Sequence, residues 1–240
     1  MGHGGMGVSD VYPINSLESI AHCINLDADG TEIDVQMTKD SVLIAFHDSE
    51  LSPGTTLSGI VSEMTLAEIT EARYINIPFT EYRVVTLKRI FTALEDYTDH
   101  IFTFDVKLYP GNNDLASYYD AYSDAIISFF EKYNLENSVY IESQSPEFLD
   151  IIHTKRPNYR LYYYPQNFED GLTTVLNNDY DGISISNEFI STDDVARAHK
   201  HNVFVTIWGV RSKDENVDAI RKNPDMIQTD NVSYLVDLLK

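Results

Sequence analysis

The sequence predicts an α/β fold, a (β/α)8 or TIM barrel whose first strand is shortened at the N-terminus. Three observations carry that expectation. Apolar, strand-like runs alternate with amphipathic helical segments from about residue 15 to the end, the rhythm of parallel strands covered by helices. A chain of 240 residues is long enough for one such barrel. The one pair of runs that breaks the rhythm reads as a hairpin, and setting its second run aside leaves seven regular strands.

The runs are TEIDVQM, VLIAFH, IFTFDVK, SVYIES, RLYYYP, GISIS, VFVTIWGV and DMIQTD. Helices are expected over 15–26, 87–97, 114–133, 146–154, 168–177, 192–201, 214–221 and 232–239. Only TKDS separates the first two runs, whereas a parallel crossover needs a dozen or more residues, so VLIAFH is an excursion from the barrel. The missing eighth strand is expected from the residues up to and including His3. Residues 51–83 form the longest stretch outside the rhythm, with one short helix expected over 66–72, and read as a lid or substrate-contact insertion, with a plain decorating loop as the alternative. The whole chain, 1–240, is expected to be one domain. Its opening, MGHGGMGVSD, has neither the charged nor the apolar region of an export signal. The default location is therefore cytoplasmic, unless a leader has been removed, and GHGG by composition reads as a flexible end.

A net charge of −21 repels a nucleic-acid backbone, so DNA or RNA is excluded as the expected partner. An anionic small molecule meets the same repulsion unless a bound cation or a local Lys/Arg cluster offsets it. No run of 18 apolar residues exists to span a membrane. The single cysteine, Cys23, lies on an apolar helical stripe with Leu17, Ile20 and Ile24 and is expected in the core, as are most of the 16 tyrosines.

The chemistry is concentrated in TEIDVQMTKDSVLIAFHD. Strand side chains alternate, so Glu32 and Asp34 share one face while Ile33 and Val35 take the other. In FTFDVK, Asp105 and Lys107 repeat the spacing on the next barrel strand, which lies about 4.8 Å away. Three buried carboxylates at one point repel each other without a cation among them, and hard oxygen donors suit Mg²⁺ or Ca²⁺. His47 ends an apolar strand where its titration range fits acid/base work.

Taken together, a His-Gly near the first strand, PINSLESI, GTEIDVQMTKD and LIAFHD resemble the glycerophosphodiester phosphodiesterases. FDVK, VTIWGV and DMIQTD are similar to that family's later strands, so the likeness spans essentially the whole chain. The resemblance implies a (β/α)8 barrel, one divalent cation (Mg²⁺ or Ca²⁺), and hydrolysis of a small-molecule phosphodiester to an alcohol and glycerol 3-phosphate. By the same resemblance His3 and His47 are the acid/base pair, and Glu32, Asp34 and Asp105 the metal ligands. Lys107, Asn15 and Trp208 are the substrate contacts. Two positions depart from the family pattern. Asp105 stands for the commoner Glu, and Gly4 stands for an Arg whose two-pronged phosphate contact glycine cannot reproduce. Two other activities compete: phospholipase D-like cleavage of lysolipid or sphingomyelin, and metal or phosphate binding without catalysis.

Overall fold

The computed structural model describes residues 1–8, 11–76 and 78–240. Helix α1 (Leu17–Asn25) leads into strand β1 (Gly30–Met37). Strand β2 (Leu43–Ala45) turns back against it antiparallel, pairing Val35 with Ala45 and Met37 with Leu43, which is the expected hairpin. A two-residue strand, β3 (Val85–Thr86), extends that hairpin antiparallel on its outer side. The barrel continues from β1 through β4 (Ile101–Val106), β5 (Val139–Ser143), β6 (Arg160–Tyr163), β7 (Gly182–Ser186), β8 (Phe204–Val210) and β9 (Met226–Thr229), every pair parallel.

Gly2 closes the circle. It forms parallel bridges to Thr31 on one side and Thr229 on the other. Its N–H donates to the Gly30 carbonyl (3.0 Å), its carbonyl accepts from Glu32 N–H (2.8 Å), and His3 N–H donates to the Thr229 carbonyl (3.2 Å). GHGG is therefore not a flexible end. Composition suggested mobility because it is blind to neighbours. Here the absence of side chains lets backbone pack on backbone: a Cβ on Gly2 would lie 1.8 Å from the Gly5 carbonyl oxygen.

Helices α3 (Leu87–Ala93), α4 (Leu115–Tyr133), α5 (Pro146–Lys155), α6 (Phe168–Asn178), α7 (Thr192–Lys200), α8 (Lys213–Lys222) and α9 (Val232–Leu239) surround the sheet, while α2 (Leu66–Ile69) belongs to the insertion. Their starts are written locally. Ser16, Thr86, Asp114, Ser145, Asn167, Ser191 and Ser212 each accept from a first-turn backbone N–H, satisfying a donor that would otherwise be orphaned. α3 stops at Ala93, short of the expected 97, because Leu94 is extended and Asp96 takes a left-handed conformation. Among the described residues no helix is long and apolar enough to cross a membrane.

The core lies between the sheet's outer face and the helices. Ile33, Val35, Phe102, Phe104 and Ile141 point into it and meet Phe91, Phe130 and Phe148. Phe91 and Phe102 pack with centroids 4.9 Å apart, Phe104 and Phe130 edge to face at 5.4 Å. Each fully buried side chain of this size contributes about 1.5–3 kcal/mol. The insertion has a small core of its own, in which Phe46, Leu51, Val61, Ile69 and Tyr74 cover the outer side of the hairpin. Cys23 is buried, as expected, beside Ala28 and Val232.

Candidate active site

Every strand of the barrel also has an inner face, and on β1 and β4 that face carries carboxylates. All of β1 is buried, so Glu32 and Asp34 point into the lumen while Ile33 and Val35 point out. The parallel register sets Asp34 directly opposite Asp105. Glu32, Asp34 and Asp105 each present an oxygen within 4.8 Å of the others, all three buried. The sequence expectation of three converging carboxylates is met in the geometry.

The surroundings of the three acids differ. Asp34 is clamped by Asn15, whose Nδ2 donates to Asp34 Oδ2 (2.6 Å) while its Oδ1 accepts from Asp34 N–H (3.0 Å). Asn15 reaches this position with a left-handed backbone, φ 66°, which Asn tolerates better than most residues. Lys107 Nζ sits 2.7 Å from Asp105 Oδ2 and 3.0 Å from Asp34 Oδ1. Glu32 accepts from Gly4 N–H at Oε2 (2.7 Å), and its Oε1 is buried with no partner among the described residues.

Those differences set the protonation. Burial and then the nearby Asp34 charge push Glu32 well above the usual carboxylate range. Burial works the same way on Asp34, but Lys107, His47, His3 and the Asn15 hydrogen bond outweigh it and hold that carboxyl low. Asp105 is raised, chiefly by burial. Burial alone would depress Lys107, and Asp105 and Asp34 reverse this and raise it. Three carboxyl groups and the Lys107 ammonium thus crowd into one largely buried space. The orphaned Glu32 oxygen, the proximity of the trio and the all-oxygen donor set fit a divalent ion such as Mg²⁺ or Ca²⁺.

Two histidines flank the acids. His3 Nδ1 is 2.7 Å from Asp230 Oδ1, and its side chain is 30% exposed, so the ring is anchored on one side and open on the other. Burial would lower it, but the Asp230 hydrogen bond and the charges of Glu32 and Asp34 push it up to about 9. His47 Nδ1 is 2.8 Å from Asp48 Oδ1, with both side chains more than half exposed. In each case the carboxylate engages Nδ1 and leaves Nε2 to face elsewhere.

A cavity of about 400 Å³ opens beside the trio, walled by His47, Asp105, Lys107, Tyr109, Gln144 and Tyr164. Trp208, expected to line the pocket, stands behind Tyr164 with ring centroids 5.0 Å apart, its indole N–H buried and without a partner among the described residues. Asn15 serves first as a brace for Asp34. The sequence reading passed over Asp230, although DMIQTD ends on it. Its pairing with His3, 227 residues away, follows from the barrel's closure, which lays the last strand beside the first. That reading weighed Gly4 only for the Arg side chain it lacks and missed its backbone N–H, which serves Glu32. A side chain there would strike Ile14, since a Cβ would lie 2.0 Å from Ile14 Cγ1, so an Arg at this position would require the loop to move.

Fold and site define an α/β-barrel protein with a buried acidic centre, flanked by two histidines, at the carboxyl rim. The sequence profile of the Glycerophosphoryl diester phosphodiesterase family matches residues 6–234, and the chain belongs to that family, a family of phosphoric diester hydrolases. It is similar to the glycerophosphodiester phosphodiesterase of Caldanaerobacter subterraneus subsp. tengcongensis, 26% identical over 243 residues, covering 98% of this chain and 95% of that protein. Solved structures share the architecture. The Oleispira antarctica phosphodiesterase, in complex with the product sn-glycerol-3-phosphate, superposes with a TM-score of 0.85 at 16% identity, over 99% of this chain and 95% of that one. The glycerophosphodiester phosphodiesterase of Thermotoga maritima gives 0.76 at 21% identity, over 99% and 96%.

Proposed function

We propose that this protein hydrolyses glycerophosphodiesters to an alcohol and glycerol 3-phosphate, with a divalent cation held by Glu32, Asp34 and Asp105 and with His3 and His47 as the acid/base pair. The observation that carries the reading is the buried carboxylate trio, with an oxygen on Glu32 that no partner among the described residues satisfies. The product bound to the Oleispira phosphodiesterase supports the substrate class.

When bound, the cation would supply positive charge against the phosphate oxygens, where charge accumulates on the way to products. The remaining work falls to the chain. Asn15 and Gly4 fix the carboxylates. Lys107, already poised between Asp34 and Asp105, provides a second positive charge at the cavity wall. Asp230 and Asp48 orient the two imidazoles, so that one accepts a proton from the attacking group, water in the net hydrolysis, and the other gives a proton to the departing alkoxide.

The test is release of glycerol 3-phosphate from glycerophosphoethanolamine. Release should require Mg²⁺ or Ca²⁺, stop on addition of EDTA and return with excess cation. Release that persists undiminished in EDTA, or no release with either ion, overturns the proposal.

A further inference from the structure

Among the described residues, none of those in the insertion walls the cavity beside the acid trio. The insertion nevertheless holds one of its walls. The loop after β4, residues 108–114, starts directly beyond Lys107 and carries Tyr109, which lines the cavity. A short 3-10 helix in the insertion, Val61–Glu63, bonds to that loop along its length. The Ser62 hydroxyl donates to the Tyr109 carbonyl (2.6 Å), and Asn113 Nδ2 donates to the Ser62 carbonyl (3.4 Å). Glu63 Oε1 accepts twice from Asn112, from its backbone N–H and from its Nδ2, each at 2.7 Å.

The loop is shaped to receive that carboxylate. Gly111 is left-handed, with φ 58°, and a Cβ there would lie 2.5 Å from Glu63 Oε1. Only glycine gives both the conformation and the room. The other end of the contact is anchored. Val61 is buried in the insertion's core with Phe46, the residue before His47, and the Met64 carbonyl accepts from Lys39 N–H (2.8 Å) in the β1–β2 turn. Ser62 and Glu63 therefore tie the segment that follows His47 to the segment that follows Lys107, and His47 and Tyr109 both wall the cavity.

Lys107 does not depend on this tie. Its N–H donates to the Val35 carbonyl (3.0 Å), and its Nζ lies between Asp34 and Asp105. The charges are held by the strands, whereas Tyr109 is held by the insertion. We infer that Glu63 is a positioning residue for substrate binding, which through Asn112 and Gly111 keeps the Tyr109 wall in place before the diester arrives; the inference rests on the phosphodiesterase reading above. A loop released from Glu63 must be ordered at the moment of binding, and that cost weakens affinity without altering the reacting groups. An ionised acceptor suits the task, since hydrogen bonds to a carboxylate are stronger than those to a neutral oxygen.

The experiment measures kcat and KM for glycerophosphoethanolamine, and binding of glycerol 3-phosphate by calorimetry, in wild type, Glu63→Ala, Glu63→Gln and Gly111→Ala. Loss of the twice-used acceptor in Glu63→Ala should raise KM, and weaken glycerol 3-phosphate binding, by about 5–30-fold. Its kcat should stay within about threefold of wild type. Glu63→Gln keeps an oxygen at this position and should restore KM to within about threefold. Gly111→Ala, which disturbs the contact from the loop side, should raise KM as Glu63→Ala does. Glu63 is only half-buried, so its variants should melt within about 3 °C of wild type. An unchanged KM in Glu63→Ala or in Gly111→Ala overturns the inference. So does a Gln variant as impaired as the Ala variant, or a loss confined to kcat. Failure of wild type to cleave any diester would remove the phosphodiesterase reading instead. Weaker glycerol 3-phosphate binding in Glu63→Ala, restored in Glu63→Gln, would then still support the role of Glu63, and no difference among the proteins would overturn it.

Discussion

The two faces of the barrel sheet are built on opposite principles. On the outer face, Phe102, Phe104, Ile141 and their neighbours pack against helices and hold no charge. On the inner face, Glu32, Thr103, Asp105, Glu142, Ser184, Thr206 and Gln228 are just as buried, yet polar. Several of these inner groups are unsatisfied: among the described residues Glu32 Oε1 and the hydroxyls of Thr103 and Thr206 have no partner. Alternating residues of a single strand thus serve cohesion and chemistry, and the second function is installed against stability. Losses of activity and losses of stability should therefore separate by face.

The largest effect is expected on the inner face. Glu32→Gln removes one carboxylate of the proposed cation site while keeping the side chain's shape and its acceptor for Gly4 N–H. Turnover should fall by at least about 10³-fold, the scale of several kcal/mol that a bound cation contributes. The metal-free protein should melt no lower than the wild type, because the substitution relieves repulsion from Asp34 and Asp105. Steady-state kinetics and a melting curve in EDTA check both halves, and a variant that melts well below wild type would break the comparison.

Phe130→Ala is the outer-face counterpart. Phe130 is fully buried on α4, packing on Phe104 and Tyr159. Truncation should cost about 3–5 kcal/mol in urea unfolding. Turnover per folded molecule should stay within about threefold of wild type.

Glu142 sharpens the contrast through pH. It is fully enclosed in the lumen and accepts from Gln228 Nε2 (3.1 Å). Burial, and then Asp105, push its carboxyl up to about 8 from an ordinary value of 4.5. Between those values the unfolded chain has released this proton and the folded protein still holds it. The folded state binds more protons, so stability falls as pH rises through that window. Glu142→Gln, which keeps an acceptor for Gln228, should match wild type near pH 4.5 and exceed it by about 2–4 kcal/mol by pH 8 in EDTA. A stability difference that does not change with pH would show that the carboxyl is not protonated in the fold.

How much of this was legible in the sequence follows from the same alternation. Period two placed Glu32 and Asp34 on one face without any structure. The short TKDS turn set β2 aside, which made the strand carrying Asp105 the next neighbour. Contacts that depend on closure were not legible. Asp230 meets His3 only because Gly2 stitches β9 to β1, and no local pattern reports a contact 227 residues apart. β3 escaped because two residues carry no periodicity. Backbone donors such as Gly4 N–H are invisible to any reading of side chains. Asn15 was recognisable as part of a motif, but its turn back onto Asp34 depends on a left-handed backbone that residue type allows and does not dictate.

The smallest expected effect lies where the two faces touch. Tyr122, on α4 and fully buried, sends its hydroxyl through the outer layer to the Val35 carbonyl (2.5 Å), on the strand that carries Glu32 and Asp34. The same carbonyl also accepts from Lys107 N–H (3.0 Å), so Tyr122→Phe removes one of its two donors and leaves it satisfied. The cost should therefore sit at the modest end for a lost hydrogen bond, about 0.5–1.5 kcal/mol. If the faces act separately, turnover should stay within about twofold. A larger fall in kcat, with stability changed by no more than this, would mean that the helix layer holds β1 in register against Lys107. The outer face would then take part in positioning the charges it does not contact.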